Sequence, residues 1–194
     1  MGQCAQTIKK VSLELGSNAP FIVFEDADLD AGVEGASGSK FRNSDQTCVC
    51  TNRLLVQNSV YDEFARRLVL TVNALKVVRT ETVGAQQEPL INAKAVAKVE
   101  EHISDALAKG ATLLAGGKPH ALGGNFFEPT VLGEVTPAML VARDETFGPR
   151  ALLFRFGTES EAIAMATDTE FGLASDVYTG DLGRAWRTAP DCTP

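Results

Sequence analysis

The 194-residue chain has few of the residues that build covalent or metal-stabilised frameworks: four cysteines and two histidines. Cysteines as few and scattered as these do not form the disulfide framework of a small secreted domain. No metal site is predicted, because a Cys-x-Cys pair with no further Cys or His at ligand spacing supplies too few ligands.

Long apolar runs and a surplus of positive charge are also lacking. No apolar stretch approaches the roughly 18 residues of a membrane-spanning helix, and no leader pattern follows Met1. The formal net charge of -7, with no basic stripe, argues against nucleic acid and anionic membranes as partners. These absences predict a soluble protein of the cytoplasm, or of the mitochondrial matrix if the source is eukaryotic.

No phosphate-binding glycine motif or Ser-His-Asp order occurs, but apolar strand-like and helix-like segments alternate along the chain. The predicted helices begin near Asp26 or Asp28, at Tyr61, at Ala93 and at Glu159. The helix that begins at Ala93 has Val96, Val99, Ile103 and Leu107 on one face and Gly110 as its cap. The predicted strands are Lys9–Leu15, Ala19–Phe24, Arg53–Gln57 and four later segments, namely ATLLAGG, FEPTVLGEV, RALLFRF and LASDVYTG. This alternation predicts an α/β domain with a mainly parallel sheet flanked by helices.

Two cysteines stand one residue apart in FRNSDQTCVC, as Cys48 and Cys50. A thiol is a nucleophile only as the thiolate, which Arg42 would favour and Asp45 would oppose. Spacing alone favours a simpler interpretation, in which both cysteines are small buried apolar residues. The two histidines, His102 and His120, are predicted to lie at the surface.

Two acidic segments are further candidates for a site. Glu14 ends the first predicted strand, where it is either a solvated strand end or a general base in a partly apolar setting. The turn DETFGP (144–149) precedes a strand, and its simplest interpretation is a loop anchored by Phe147.

Five segments, taken together and in order, resemble the aldehyde dehydrogenase superfamily, and most closely its succinate-semialdehyde dehydrogenases. They are VSLELGSNAPFIVFEDADLD, KFRNSDQTCVC, GNFFEPTVL, DETFGP and EFGLAS, and the resemblance runs from about Gln3 to Trp186. It implies NAD(P)-dependent oxidation of an aldehyde to the carboxylic acid, with succinate semialdehyde as the expected substrate and NAD or NADP as cofactor.

The resemblance also implies roles for particular residues. Cys48 matches the nucleophile that forms the thiohemiacetal and then the thioester, and Glu14 matches the base that activates water. Leu15, Glu145 and Phe147 match positions that contact the nicotinamide nucleoside. Arg42 matches a side chain that binds the far carboxylate of the substrate, and Cys50 matches a thiol that forms a reversible disulfide with the nucleophile in some members.

The chain departs from the family pattern at four positions. Ser17 and Asp45 stand where the family has glycine, and Glu88 and Arg150 replace small or apolar residues. A side chain costs of order 1–2 kcal/mol where glycine serves a positive φ. Asp45 would in addition place a negative charge near the thiol.

The family's chain is more than twice as long, so the resemblance implies a domain truncated at both ends. Residues 1–16 match the last strand of the cofactor-binding domain, residues 17–186 match an incomplete catalytic domain, and residues 187–194 form an aberrant tail. The family is homo-oligomeric, but its oligomerisation segment, the rest of the cofactor domain and the oxyanion-hole asparagine have no match here. Two alternatives therefore stay open: a non-catalytic remnant or interaction module, and cofactor-free acyl chemistry by Cys48 and Glu14.

Overall fold

The computed structural model describes residues 1–79 and 86–191, which form a six-stranded sheet with helices on both faces. The strand order is β3-β4-β5-β2-β1-β6, and every neighbouring pair is parallel except β3 and β4. The strands are β1 (Ala19–Val23), β2 (Thr51–Gln57), β3 (Thr112–Ala115), β4 (Thr130–Gly133), β5 (Arg150–Phe156) and β6 (Asp176–Tyr178). The prediction of a mainly parallel α/β sheet is confirmed.

Seven helices occur among the described residues. They are α1 (Gly2–Ala5), α2 (Leu29–Lys40), α3 (Asn58–Asn73), α4 (Ala93–Ala108), α5 (Leu140–Arg143), α6 (Glu159–Thr167) and α7 (Leu182–Asp191). Asp28 caps α2, its Oδ1 accepting from the backbone N–H groups of Asp30 and Ala31 at 3.0 and 3.1 Å. No helix of the described residues is long and apolar enough to cross a membrane.

The central strands are buried on both faces, which explains why they are continuous apolar runs. Along β1, Phe21 and Val23 face the core beneath α2 and α3, whereas Ile22 packs into the core formed with α4, α5 and α6. This alternation follows from the two-residue repeat of a strand. The two cores hold the sheet between fixed layers, so the loops at the strand ends have a rigid base.

The strand predicted at Lys9–Leu15 is wrong. The segment has no regular structure, and Val11, Leu13 and Leu15 are 44%, 52% and 50% exposed. Its apolar-polar alternation is that of a strand, but the segment pairs with none of the strands of the described sheet. A strand pattern becomes a strand only where a partner satisfies its N–H and C=O groups.

The surface position predicted for His102 is also wrong. His102 is 2% exposed, because it follows Val99 by three residues and so shares the inward face of α4 with Val99, Ile103 and Ala106. Leu107, predicted on that face, is 39% exposed. The true face is rotated by about one residue from the predicted one.

The end of the chain is helical for longer than its composition suggests. The helix α7 runs from Leu182 to Asp191 and therefore includes most of the predicted aberrant tail, 187–194. The remaining residues of that tail, 192–194, lie outside the described residues.

Candidate active site

Three loops meet at the amino ends of neighbouring strands. Ser17 and Asn18 lead into β1, the Cys48–Cys50 segment leads into β2, and residues 144–149 lead into β5. Since β5, β2 and β1 are adjacent and parallel, their amino ends lie at one edge of the sheet. The topology therefore brings together segments that are more than 120 positions apart in the sequence, as the 128-residue separation between Ser17 and Glu145 shows.

A cleft of about 440 Å³ opens at this edge. Five of the seven residues that the sequence singled out line it, one of them the candidate nucleophile and another the candidate base. The lining residues are Glu14, Leu15, Gly16, Gln46, Thr47, Cys48, Glu145 and Phe147. The other two candidates, Arg42 and Cys50, lie near the cleft in sequence but do not line it.

Cys48 lies in a tight turn. The backbone N–H of Cys50 donates to the carbonyl oxygen of Thr47 at 3.1 Å, which bends the chain at Cys48 and Val49. Cys48 is half-buried, whereas Cys50 is 2% exposed. The turn thus presents one thiol to the cleft and directs the other inward.

The Cys50 thiol has polar neighbours of its own. Its Sγ lies 2.6 Å from Thr47 Oγ1 and 3.7 Å from the carbonyl oxygen of Arg42. Burial raises the pKa of this thiol, and the Asp45 carboxylate raises it further, while the contact with Thr47 lowers it. Cys50 is held as a buried thiol beneath the turn.

The backbone before the turn is left-handed over three consecutive residues. Asn43, Ser44 and Asp45, within the irregular turn η1 (Arg42–Asp45), have φ values of 50°, 53° and 62°. The Ser44 hydroxyl donates to the carbonyl oxygen of Glu88 at 2.8 Å and accepts from the Glu88 N–H at 2.9 Å, which fixes this conformation. A positive φ at Asp45 is the condition for which glycine is normally chosen.

The Asp45 side chain is turned into the protein and away from solvent. It is fully buried and its Oδ2 lies 2.6 Å from Lys40 Nζ, the ammonium at the end of α2. Burial raises the pKa of Asp45 to about 7, against the opposing effect of Lys40. The sequence predicts Asp45 only as a charge near the thiol, whereas in the structure its carboxylate pairs with Lys40.

Glu145 joins two of the loops. Its Oε1 accepts from the backbone N–H of Ser17 at 2.8 Å, and its carbonyl oxygen accepts from Lys98 Nζ at 3.1 Å. Phe147, two residues later, lines the cleft and is 38% exposed. A half-buried carboxylate and an open aromatic ring are therefore presented side by side.

The segment carrying Glu14 is anchored just after it. Asn52 on β2 donates through Nδ2 to the carbonyl oxygen of Ser17 at 3.0 Å, opposite the contact of the Ser17 N–H with Glu145. At Gly16 a Cβ would lie 3.1 Å from the Phe171 ring and 3.3 Å from Glu145 Oε2. Glu14 and Leu15 are themselves exposed, so their side chains are free to contact a ligand.

Sequence reasoning missed the residues that hold these loops together. Lys40 Nζ also donates to Asn52 Oδ1 and to Thr146 Oγ1, both at 3.2 Å, and Thr146 Oγ1 donates to Asn52 Oδ1 at 2.7 Å. All three side chains are buried. In the sequence, the only sign of this group was Lys40, a lysine among small residues at the end of a helix. A lysine in that setting resembles an ordinary surface cation.

Comparison with known proteins identifies the class. Residues 1–193 match the model of the aldehyde dehydrogenase family, so the chain belongs to that family. The chain is 62% identical over 189 residues to a glutarate-semialdehyde dehydrogenase of Pseudomonas aeruginosa, covering 97% of this chain and 39% of that protein. It is 60% identical to the NADP(+) succinate-semialdehyde dehydrogenase of Escherichia coli, covering 96% of this chain and 39% of that protein.

Two further proteins share the similarity. A 3-sulfolactaldehyde dehydrogenase of Pseudomonas putida is 60% identical, with 98% of this chain and 39% of that protein covered. The crystal structure of succinate-semialdehyde dehydrogenase from Burkholderia pseudomallei superimposes with a TM-score of 0.93 at 62% identity, covering 98% of this chain and 39% of that chain. This chain therefore spans about two fifths of the length of the relatives it matches.

Proposed function

We propose that this chain carries the catalytic half of an NAD(P)-dependent dehydrogenase for semialdehydes with a distal acidic group. The supporting observation is the cleft itself, where Glu14, Cys48, Glu145 and Phe147 converge from three separate loops. Family membership gives the class of reaction, aldehyde oxidation. The substrate, the cofactor and the residue roles below are part of the proposal.

Cys48 is the proposed nucleophile. As a thiolate it adds to the aldehyde carbon to form a thiohemiacetal, and oxidation of that carbon leaves a thioester. Glu14, exposed on the facing segment of the cleft, is the proposed base that removes a proton from water. The activated water attacks the thioester carbonyl, which releases the carboxylic acid and regenerates the thiol.

The residues opposite Cys48 fit a nicotinamide nucleoside. The Glu145 carboxylate only accepts hydrogen bonds and uses one of its oxygens for Ser17, which leaves Oε2 for a sugar hydroxyl. The exposed faces of Phe147 and Leu15 provide apolar contacts for a planar ring. When bound, NAD or NADP would accept the hydride from the substrate carbon.

Arg42 is the proposed contact for the acidic end of the substrate. Its side chain is exposed at the start of η1, six residues before Cys48. The names of the relatives, glutarate-, succinate- and 3-sulfolactaldehyde dehydrogenase, denote aldehydes that carry a carboxylate or sulfonate. A guanidinium suits both groups because its N–H donors form paired hydrogen bonds with their oxygens.

Cys50 is the proposed redox partner of Cys48. Two cysteines separated by one residue in a straight strand have Cα atoms more than about 6.5 Å apart, too far for an easy disulfide. The hydrogen bond between Thr47 and Cys50 bends the chain at Cys48 and Val49 and so shortens this separation. The disulfide additionally requires the inward-facing Cys50 side chain to turn toward the cleft. In this proposal the disulfide blocks the nucleophile and reduction restores it.

The rival proposal is a non-catalytic interaction module. The test is to incubate the purified chain with NAD⁺ or NADP⁺ and succinate or glutarate semialdehyde, and to follow NAD(P)H by absorbance. If the chain holds the cofactor by itself, NAD(P)H should form in a reaction that Cys48→Ser abolishes, Glu14→Gln reduces, and Arg42→Met weakens chiefly through a higher KM for the semialdehyde. A chain that is monodisperse by size exclusion, reduces neither cofactor and is not acylated at Cys48 would favour the module.

A further inference from the structure

A buried charge cluster lies beneath the cleft. Lys40, Asp45 and Arg150 are each 0% exposed, which is rare for charged side chains. Two of them are cations and one is an anion. Burying a charge away from water costs free energy unless an opposite charge is close, so the stability of the two cations depends on the single anion.

Asp45 interacts with both cations. Its Oδ2 lies 2.6 Å from Lys40 Nζ, and the Gly148 N–H donates to the same oxygen at 3.3 Å. Arg150 Nη2 would lie 3.8 Å from a Cβ at Gly148, so the guanidinium lies beside the glycine whose N–H contacts Asp45. Burial lowers the pKa of Arg150 to about 10, and the Asp45 carboxylate is the charge that opposes this effect.

Arg150 has few other partners. Its Nη1 donates to the carbonyl oxygen of Lys98 at 3.4 Å, while Nε and Nη2 have no hydrogen-bond partner among the described residues. Asp45 Oδ1 likewise has no hydrogen-bond partner among the described residues. The guanidinium therefore depends on Asp45 for its charge balance more than on hydrogen bonds of its own.

The cluster also connects two of the three loops that form the cleft. Asp45 belongs to the backbone from which the Cys48 turn departs, and the Gly148 N–H ties the loop of Glu145 and Phe147 to its carboxylate. Thr146 in the same loop accepts from Lys40 Nζ at 3.2 Å. Movement of the cluster would shift both walls of the cleft.

We propose that Asp45 is the shared counter-ion of Lys40 and Arg150, and that these three side chains act as one positioning unit for the loops of Cys48 and Glu145. Asp45 and Arg150 are then a dependent pair: the carboxylate is needed because the guanidinium is present. This inference deepens the proposed function, since Cys48 is the residue being positioned. Its test measures charge coupling rather than turnover, so it can fail while the proposed function holds.

The test compares Asp45→Asn, Arg150→Met and the double variant by alkylation with iodoacetamide, resolved by peptide mass spectrometry. Cys50 is 2% exposed, so its alkylation should require the Cys48 turn to open, and half-buried Cys4 in α1 is an internal reference. Asp45→Asn leaves two buried cations without an anion and should raise the Cys50 rate relative to Cys4 by about tenfold or more. Arg150→Met leaves the balanced Lys40–Asp45 pair and should change this ratio by less than about threefold.

The decisive result is the double variant. The double variant removes one of the two cations that Asp45→Asn leaves unpaired. Its ratio of Cys50 to Cys4 alkylation rates should therefore be at least about threefold below that of Asp45→Asn alone. Combining Asp45→Asn with Arg150→Lys keeps the charge and should give no such reversal. If Asp45→Asn does not fold, recovery of a cooperative thermal transition with Arg150→Met but not with Arg150→Lys supports the proposal. Effects that simply multiply, or equal reversal by Met and Lys, would overturn it.

Discussion

Replacing His102 with glutamine should remove part of the acid sensitivity of the fold. The imidazole is 2% exposed on α4, and its Nε2 lies 3.4 Å from Asp144 Oδ2. Burial, together with the charges of Arg150 and Lys98, lowers the pKa of His102 from 6.5 to about 4, although Asp144 acts in the opposite direction. The native protein therefore keeps this histidine neutral at a pH where the unfolded chain protonates it.

The sign and size of the effect follow from proton linkage. Between pH 6.5 and pH 4 the unfolded state binds one more proton than the native state at this site, so stability falls as the pH is lowered. From about pH 7 to about pH 5 the loss attributable to His102 is roughly 2 kcal/mol. Glutamine can still donate to Asp144 but does not titrate, so His102→Gln should lose roughly 2 kcal/mol less over that interval.

The assay is urea unfolding followed by far-ultraviolet circular dichroism at the two pH values, for the parent chain and the variant. Asp144→Asn is the matched control, because it alters the half-exposed partner and leaves the buried imidazole in place. The control should keep the pH dependence of the parent. An identical pH dependence in His102→Gln and the parent would refute the assignment of a neutral buried histidine.

Two further perturbations probe the loops of the site. At Gly148, where φ is +148°, a Cβ would lie 2.5 Å from Val99 Cγ2, so Gly148→Ala should destabilise the fold by about 2–4 kcal/mol. Gly38, in α2 with nothing within 4 Å of a Cβ, is the matched control, and Gly38→Ala should stabilise by about 0.5–1 kcal/mol in the same urea assay; equal effects at the two sites would contradict the model of a crowded loop. Thr47→Val removes the hydroxyl that contacts the Cys50 thiol and so loosens the turn, and Cys50 should be alkylated faster relative to Cys4, whereas Thr47→Ser should behave as the parent; an unchanged ratio in the valine variant would show that this contact does not hold the turn closed.

The elements were predictable where local pattern and tertiary environment agree. The apolar runs that became β1, β2 and β5 are buried on both faces, and Asp28 is one of the two cap residues that the residue types predicted. The Lys9–Leu15 pattern was just as regular, but a strand also needs a neighbour, which no local pattern reports. The face of α4 was misplaced because His102 was judged by its polarity and not by its spacing from Val99.

The site was predictable as a set of residues but not as an electrostatic arrangement. The motifs selected most of the side chains that line the cleft. They also suggested that Asp45 would act directly on the Cys48 thiol and oppose its ionisation. In the structure the Asp45 carboxylate points inward to Lys40, five residues earlier, a contact that depends on three left-handed residues in η1. Backbone conformation of this kind is set by the surrounding packing, so sequence spacing alone did not reveal the pairing of Asp45 with Lys40.

The most direct test of the proposed centre needs no bound cofactor: reaction of the chain with p-nitrophenyl acetate, followed by intact-mass and peptide mass spectrometry. If Cys48 and Glu14 face one another across the cleft as nucleophile and base, the acetyl group should be found on Cys48. It should be lost quickly from the parent chain, persist on Glu14→Gln, and be absent from Cys48→Ser. Acetylation of Cys50 or Cys4 in place of Cys48, or equal deacetylation rates in the parent and Glu14→Gln, would contradict the account.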